Sequence, residues 1–161
     1  MKHYEIWTDG SAKHNGKSGA VAASAWICYL DGEKIVERAF LIKDKQTNQR
    51  AELEAVISAC KETILNDDDK LTIHTDSAYI INCINQKWYI NWLKNGWKNT
   101  KKNPVANKDL WEQLIPYFTD YRYNFIKTKG HSDDVYNNEV DRLVQNLAER
   151  SKNDFHNNSI L

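Results

Sequence analysis

Four acids stand at positions where elements of secondary structure begin or end: Asp9, Glu52, Asp76 and Asp141. Asp9 closes the first run of strand-like alternation. Glu52 falls in the first turns of the first helical pattern. Asp76 closes a later short strand, and Asp141 opens the last helix. Ligand sites in α/β folds gather at the carboxyl ends of strands. Asp9 and Asp76 share one pocket if their strands are neighbours. Several carboxylates in one pocket repel each other and call for a counter-charge. A hard divalent cation such as Mg²⁺ supplies it through oxygen ligands. Two such ions roughly 3.5–4 Å apart can stabilise both the attacking and leaving oxygens of a phosphoryl displacement. Each acid alone has a plainer use. Thr8-Asp9-Gly10-Ser11 is a common turn string, and an acid near a helix N-terminus favours the dipole.

A second constellation is basic and aromatic. Lys plus Arg and Asp plus Glu are equal at 22 each, which argues against a generally basic nucleic-acid binder. The charge is unevenly spread, however. No carboxylate occurs between Asp76 and Asp109, and that interval holds Lys87, Lys94, Lys98, Lys101, Lys102 and Lys108. The rest of the chain is therefore net negative. The same segment carries Trp88, Tyr89, Trp92 and Trp97. Lysine interleaved with aromatics suits a polyanion with flat faces or apolar sugar edges. The plainer alternative is an amphipathic helix with core tryptophans and a solvated lysine face.

The elements that position these groups follow from pattern. The 161 residues suggest one domain with a core of its own. Residues 3–9 alternate as a strand, and a turn is expected from Asp9-Gly10-Ser11 through Asn15-Gly16. Residues 20–30 and 33–42 are apolar runs joined by Asp31-Gly32, a hairpin signal. From Asn48 to Ile64 the apolar spacing becomes helical, with Thr47 or Asn48 as cap. A strand over 71–76 follows, then helices over 77–84 and 87–95, the second ending at Asn95-Gly96. A Lys-rich loop over 98–106, a helix over 107–118, a strand over 121–127 and a helix over 138–150 complete the order. The tail 151–161 is polar and is expected to be loose. The fold class is α/β: an antiparallel three-strand meander plus two further strands in a five-stranded mixed sheet flanked by helices. Cys28, Cys60 and Cys83 are widely spaced, with no CxxC, and read as core residues. No apolar run reaches 18 residues, and no signal or transit pattern opens the chain. A cytoplasmic monomer is expected.

The strings Thr8-Asp9-Gly10-Ser11, Thr47-Asn48-Gln49-Arg50-Ala51-Glu52, His74-Thr75-Asp76-Ser77, Lys129-Gly130-His131-Ser132 and Asn138-Glu139-Val140-Asp141-Arg142-Leu143 occur in this order. Together they resemble the type 1 ribonuclease H family, over residues 3 to about 150. The stretch from Trp88 to Lys98 resembles that family's basic protrusion, placed here at about 86–106. The resemblance implies an endonuclease that cuts the RNA strand of RNA–DNA hybrids with little sequence preference. It implies that Asp9, Glu52, Asp76 and Asp141 hold two Mg²⁺ ions, for which Mn²⁺ can substitute. It makes His131 an aid to proton transfer or product departure, and Glu139 a supporting group near the site. It assigns RNA-strand contacts to Asn15, Asn48 and Gln49. It assigns a DNA-phosphate pocket to Lys45, Thr47 and Asn107. Tyr79, Trp88 and Trp92, with Lys94, Trp97 and Lys98, fall in its DNA channel and protrusion. No separate hybrid-binding module is expected, so processivity should be low and affinity salt-sensitive. Two alternatives stay open: a catalytically silent hybrid-binding module, and a DNA-acting nuclease of the integrase or resolvase type on the same fold.

Overall fold

The computed structural model describes residues 1–13, 21–43, 46–128 and 134–160, the last nine by backbone alone. Strands β1 (His3–Lys13), β2 (Val21–Leu30) and β3 (Glu33–Leu41) form an antiparallel meander. Asp31 and Gly32 both take positive φ, 52° and 80°, which gives the tight hairpin turn that matches strand twist. Helix α1 (Asn48–Glu62) crosses to β4 (Lys70–Thr75), which lies parallel to β1. Helices α2 (Ala78–Asn85), α3 (Trp88–Asn95) and α4 (Lys108–Phe118) lead to β5 (Tyr123–Lys127), parallel to β4. The sheet order is β3-β2-β1-β4-β5, the expected mixed five-stranded sheet with β1 at its centre. Helix α5 (Val135–Ile160) closes the described chain.

Strand alternation sends neighbouring residues to opposite cores. Ile6 joins Trp26, Leu53, Val56, Leu71, Ile73 and Trp111 under α1 to α4. Trp7 joins Ala23, Ala25 and Ile27 beneath Val140, Val144 and Ala148 of α5. The three cysteines are free and buried in the first core. Burial pushes the Cys28 thiol up to about 11 and Cys83 to about 12, so neither is a ready nucleophile.

Three segments differ from the sequence reading. The strand does not turn at Asp9. β1 continues to Lys13, because β2 offers it a full ladder of partners from Leu30 back to Val21. A turn would leave those backbone groups to find other bonds. Residues 98–106 form a compact hairpin rather than an open loop. The Asn99 carboxamide accepts from the Lys101 and Asn103 N–H groups at 3.0 Å each, and Val105 N–H donates to Trp97 O at 2.9 Å. The last helix starts at Val135 and runs past 150 to Ile160. No glycine or proline lies between Gly130 and Leu161 to stop it.

Candidate active site

The ladder between β1 and β4 runs from His3↔Lys70 to Thr8↔Thr75. Asp9 on β1 and Asp76, the first residue past β4, follow that last rung, so they stand side by side. Asp9 keeps its pairing to Ala25 on the other side, which fixes its backbone. Helix α1 brings the third acid by close approach. A Cβ on Gly10 would lie 2.3 Å from the Ala51 carbonyl carbon and 2.4 Å from the Glu52 nitrogen. Only glycine lets the helix rest there. Ser24 Oγ donates to Ala51 O at 2.7 Å and holds the same turn. One oxygen each from Asp9, Glu52 and Asp76 then lie within 4.8 Å of one another. Asp141, on the second turn of α5, comes within hydrogen-bond reach of Asp9.

Among the described residues the cluster is short of positive charge. Burial, then Asp76, then a hydrogen bond and the charge of Asp141 push Asp9 up to about 8, against a bond from the Gly10 N–H. Burial and the charges of Asp9 and Asp76 hold Glu52 well above the usual carboxylate range. Asp76 is raised chiefly by burial, with Lys127 opposing. Like charges about 4 Å apart repel by about 4 kcal/mol at the effective dielectric of a protein surface. Among the described residues, none offers a hydrogen-bond donor to the buried Glu52 Oε2. An all-oxygen set with an orphaned buried carboxylate oxygen fits a hard divalent cation.

A second surface is built around Arg50. Thr47 caps α1 by accepting the Arg50 N–H at 3.2 Å. The Arg50 guanidinium, itself buried, donates to Asn107 Oδ1 at 3.2 Å and to both Asp109 oxygens at 3.0 and 2.8 Å. Thr47 and Asn107, 60 positions apart in the chain, are thus tied to one residue. Asn107 Nδ2 donates to the Tyr79 hydroxyl at 3.3 Å, which also accepts from Trp111 Nε1 at 3.1 Å. From Tyr79 a run of rings leads outward: Trp88 at 6.3 Å, Trp92 a further 6.3 Å, Trp97 a further 5.6 Å. Trp92 is buried, Trp88 and Trp97 are half-buried, and Lys94 and Lys98 are exposed. An open cleft of about 490 Å³ lies among Trp88, Trp92, Lys94 and Lys98. The tryptophans therefore serve as core and as surface at once.

The sequence profile of the RNase H family matches residues 1–149. The chain belongs to the RNase H family. Among its relatives is a protein named Ribonuclease H from Clostridium botulinum, 42% identical over 145 residues, 89% of this chain and 94% of that one. Another Ribonuclease H, from Caldicellulosiruptor saccharolyticus, is 38% identical over 152 residues, 94% of this chain and 100% of that one. The fold matches the crystal structure of LC9-RNase H1, described as a type 1 RNase H with the type 2 active-site motif. The TM-score is 0.73 at 21% identity, over 92% of this chain and 73% of that chain.

Within this RNase H chain the remaining site residues are placed as follows. Asn48 and Gln49 are exposed in the first turn of α1, and Asn48 Oδ1 accepts from the Ala12 N–H at 2.6 Å. Asn15, Lys45 and His131 lie outside the described residues. Glu139 is engaged away from the carboxylates. Its oxygens accept from the Tyr29 hydroxyl at 2.6 Å and from Lys34 Nζ at 2.5 Å, on the β2–β3 hairpin. The residue that the sequence reading left without a role is Arg50. A charged residue on the first turn of a helix, followed by apolar residues at helical spacing, was its only signal.

Proposed function

We infer that this chain is a ribonuclease H that hydrolyses the RNA strand of RNA–DNA hybrids, leaving 5′-phosphate and 3′-hydroxyl ends. The observation that carries this is the Asp9, Glu52 and Asp76 cluster joined by Asp141, in a chain of the RNase H family. Those four carboxylates would hold two Mg²⁺ ions, or Mn²⁺ in their place. When bound, the ions supply the missing positive charge, activate a water and stabilise the leaving oxygen.

The chain's own residues do the rest. Asn48 and Gln49, exposed beside Glu52, meet the 2′-hydroxyls that mark an RNA strand, with Asn15 as their partner. His131 assists proton transfer or product departure, a general acid–base role open to a histidine. Thr47 and Asn107, joined through Arg50, grip a DNA phosphate with Lys45. Tyr79, Trp88 and Trp92 pack on deoxyribose, and Lys94 and Lys98 meet phosphates beyond them. Contacts to sugar and phosphate carry little sequence information, so base preference is weak. On this reading the chain works as a cytoplasmic monomer.

The test is cleavage of an end-labelled RNA–DNA hybrid beside matched RNA duplex, DNA duplex and single-stranded RNA. Each is run with Mg²⁺, with EDTA, and with Asp76→Asn. Only the hybrid's RNA strand should be cut, and both EDTA and the substitution should stop it. A hybrid that is bound yet left intact in Mg²⁺ and in Mn²⁺ would leave only a silent binding module.

A further inference from the structure

Helix α5 meets the sheet along a stripe of small apolar residues. Val140, Val144 and Ala148 lie against Trp7, Ala23, Ala25, Ile27 and Tyr29. Successive helical residues point about 100° apart. Glu139 and Asp141 therefore stand on opposite flanks of Val140, one at each edge of the buried stripe. A roll of α5 that lifts Asp141 away from Asp9 must drive Glu139 toward the sheet, and the reverse.

Each edge is tied. On one, Glu139 accepts from the Tyr29 hydroxyl at 2.6 Å and from Lys34 at 2.5 Å. Tyr29 is itself fixed, its ring edge-on to Trp7 at 5.6 Å and to Tyr136 at 4.8 Å. Burial and then Glu139 push its hydroxyl up to about 12, so it remains a donor. On the other edge, Gln145 lies one turn beyond Asp141. Its Nε2 donates to Ser11 Oγ at 3.2 Å, and Ser11 is two residues beyond Asp9 on the same face of β1. Asp141 sits between these ties. It is exposed while Asp9 is buried, and the two come within hydrogen-bond reach.

We propose that Glu139, held by Tyr29 and Lys34, is a positioning residue that blocks this roll and sets how well Asp141 serves the metal centre. The proposal rests on the two-metal reading above. The apolar stripe, with Leu143 and Leu147 packed partly against it, resists separation from the sheet but has no directional bond to set its rotation. Directional bonds at the stripe's edge do that. Partners that orient a metal ligand affect metal affinity by about 10–100-fold.

The test uses the full chain with Glu139→Ala, Glu139→Gln and Tyr29→Phe. Two quantities are read: the Mg²⁺ concentration that half-saturates hybrid cleavage, and the rise in Tm that Mg²⁺ gives the substrate-free protein. Glu139→Ala should raise the half-saturating Mg²⁺ on the order of tenfold. Tyr29→Phe keeps the ring contacts and should shift it the same way by less. Glu139→Gln still accepts from Tyr29 and should fall between wild type and Glu139→Ala. KM for the hybrid should hold, excess Mg²⁺ should restore most of the rate, and the Mg²⁺-dependent rise in Tm should shrink in the same order. A purely structural role would lower the metal-free Tm and leave both Mg²⁺ readings unchanged, which overturns the proposal. Should Glu139→Ala fail to fold, an unshifted Tyr29→Phe overturns it equally. A wild-type chain that responds to Mg²⁺ in Tm but cuts no hybrid would remove the nuclease reading. The proposal would then stand or fall on the Tm series alone.

Discussion

Asp9 is the meeting point of the site, and its ionisation links metal, pH and stability. Its carboxyl is pushed up to about 8 by burial and by its acidic neighbours. A proton held in the fold above the ordinary carboxylate range stabilises the folded state. That contribution is complete below the unfolded value near 4 and is lost as pH rises through about 8. The metal-free protein should therefore lose Tm between about pH 5 and about pH 8 from this source. Mg²⁺ should restore more of it at the upper end, because the cation favours the charged carboxylates. Thermal melts in EDTA and in Mg²⁺ across that range check this, and Asp9→Asn should flatten the EDTA curve. Arg50 gives a second prediction at this scale. Its guanidinium is buried, whereas the Asp109 side chain is 62% exposed. Removing Asp109 takes an ion-pair partner from a buried guanidinium that keeps its bond to Asn107, while removing Arg50 leaves a solvated carboxylate. Asp109→Ala should cost about 2 kcal/mol and Arg50→Met less, as urea melts would read.

At the scale of elements, the site depends on α1 lying directly on β1. Gly10 is the contact, and its neighbours there are backbone atoms that cannot swing aside. Gly10→Ala should destabilise the fold by about 1–3 kcal/mol. It should also cut cleavage more than stability, because α1 must lift and carry Glu52 away from Asp9. Melts and cleavage rates on the same preparation separate the two losses. The pattern Asp9-Gly10 was legible in the sequence as a turn, and that reading was wrong for a physical reason. Local turn preference was outweighed by the ladder with β2 on one side and by the helix that needs a bare Cα on the other. The 98–106 hairpin likewise looks like a loop in sequence. Its order comes from one asparagine side chain bonding the backbone around it, and composition does not announce that.

Across the whole molecule, charge is segregated rather than balanced. Lys94, Lys98, Lys101 and Lys102 project from one hairpin-bearing corner, all exposed, while Asp9, Glu52 and Asp76 gather where the β1–β4 ladder ends. Hybrid binding should therefore weaken steeply with salt. Replacing Lys94 and Lys98 together by alanine should raise KM, leave kcat near its wild-type value, and reduce the slope of log affinity against log salt by about 2. An unchanged slope would place the polyanion elsewhere on the surface.

The sequence by itself determined the element order, the places of the four acids along that order and the basic, aromatic segment. Those follow from periodicity, from turn chemistry at Asp31-Gly32 and from motifs a few residues long. Tertiary structure alone decided what lies beside what. It set Asp9 next to Asp76 through a parallel register, laid Glu52 over them through a helix contact that only glycine admits, and joined Thr47 to Asn107 through a buried arginine. It also turned Glu139 away from the acids and toward Tyr29 and Lys34. Local patterns carry the rise of a strand and the pitch of a helix. They do not carry the distance between residues separated by tens of positions, which packing of the two cores fixes.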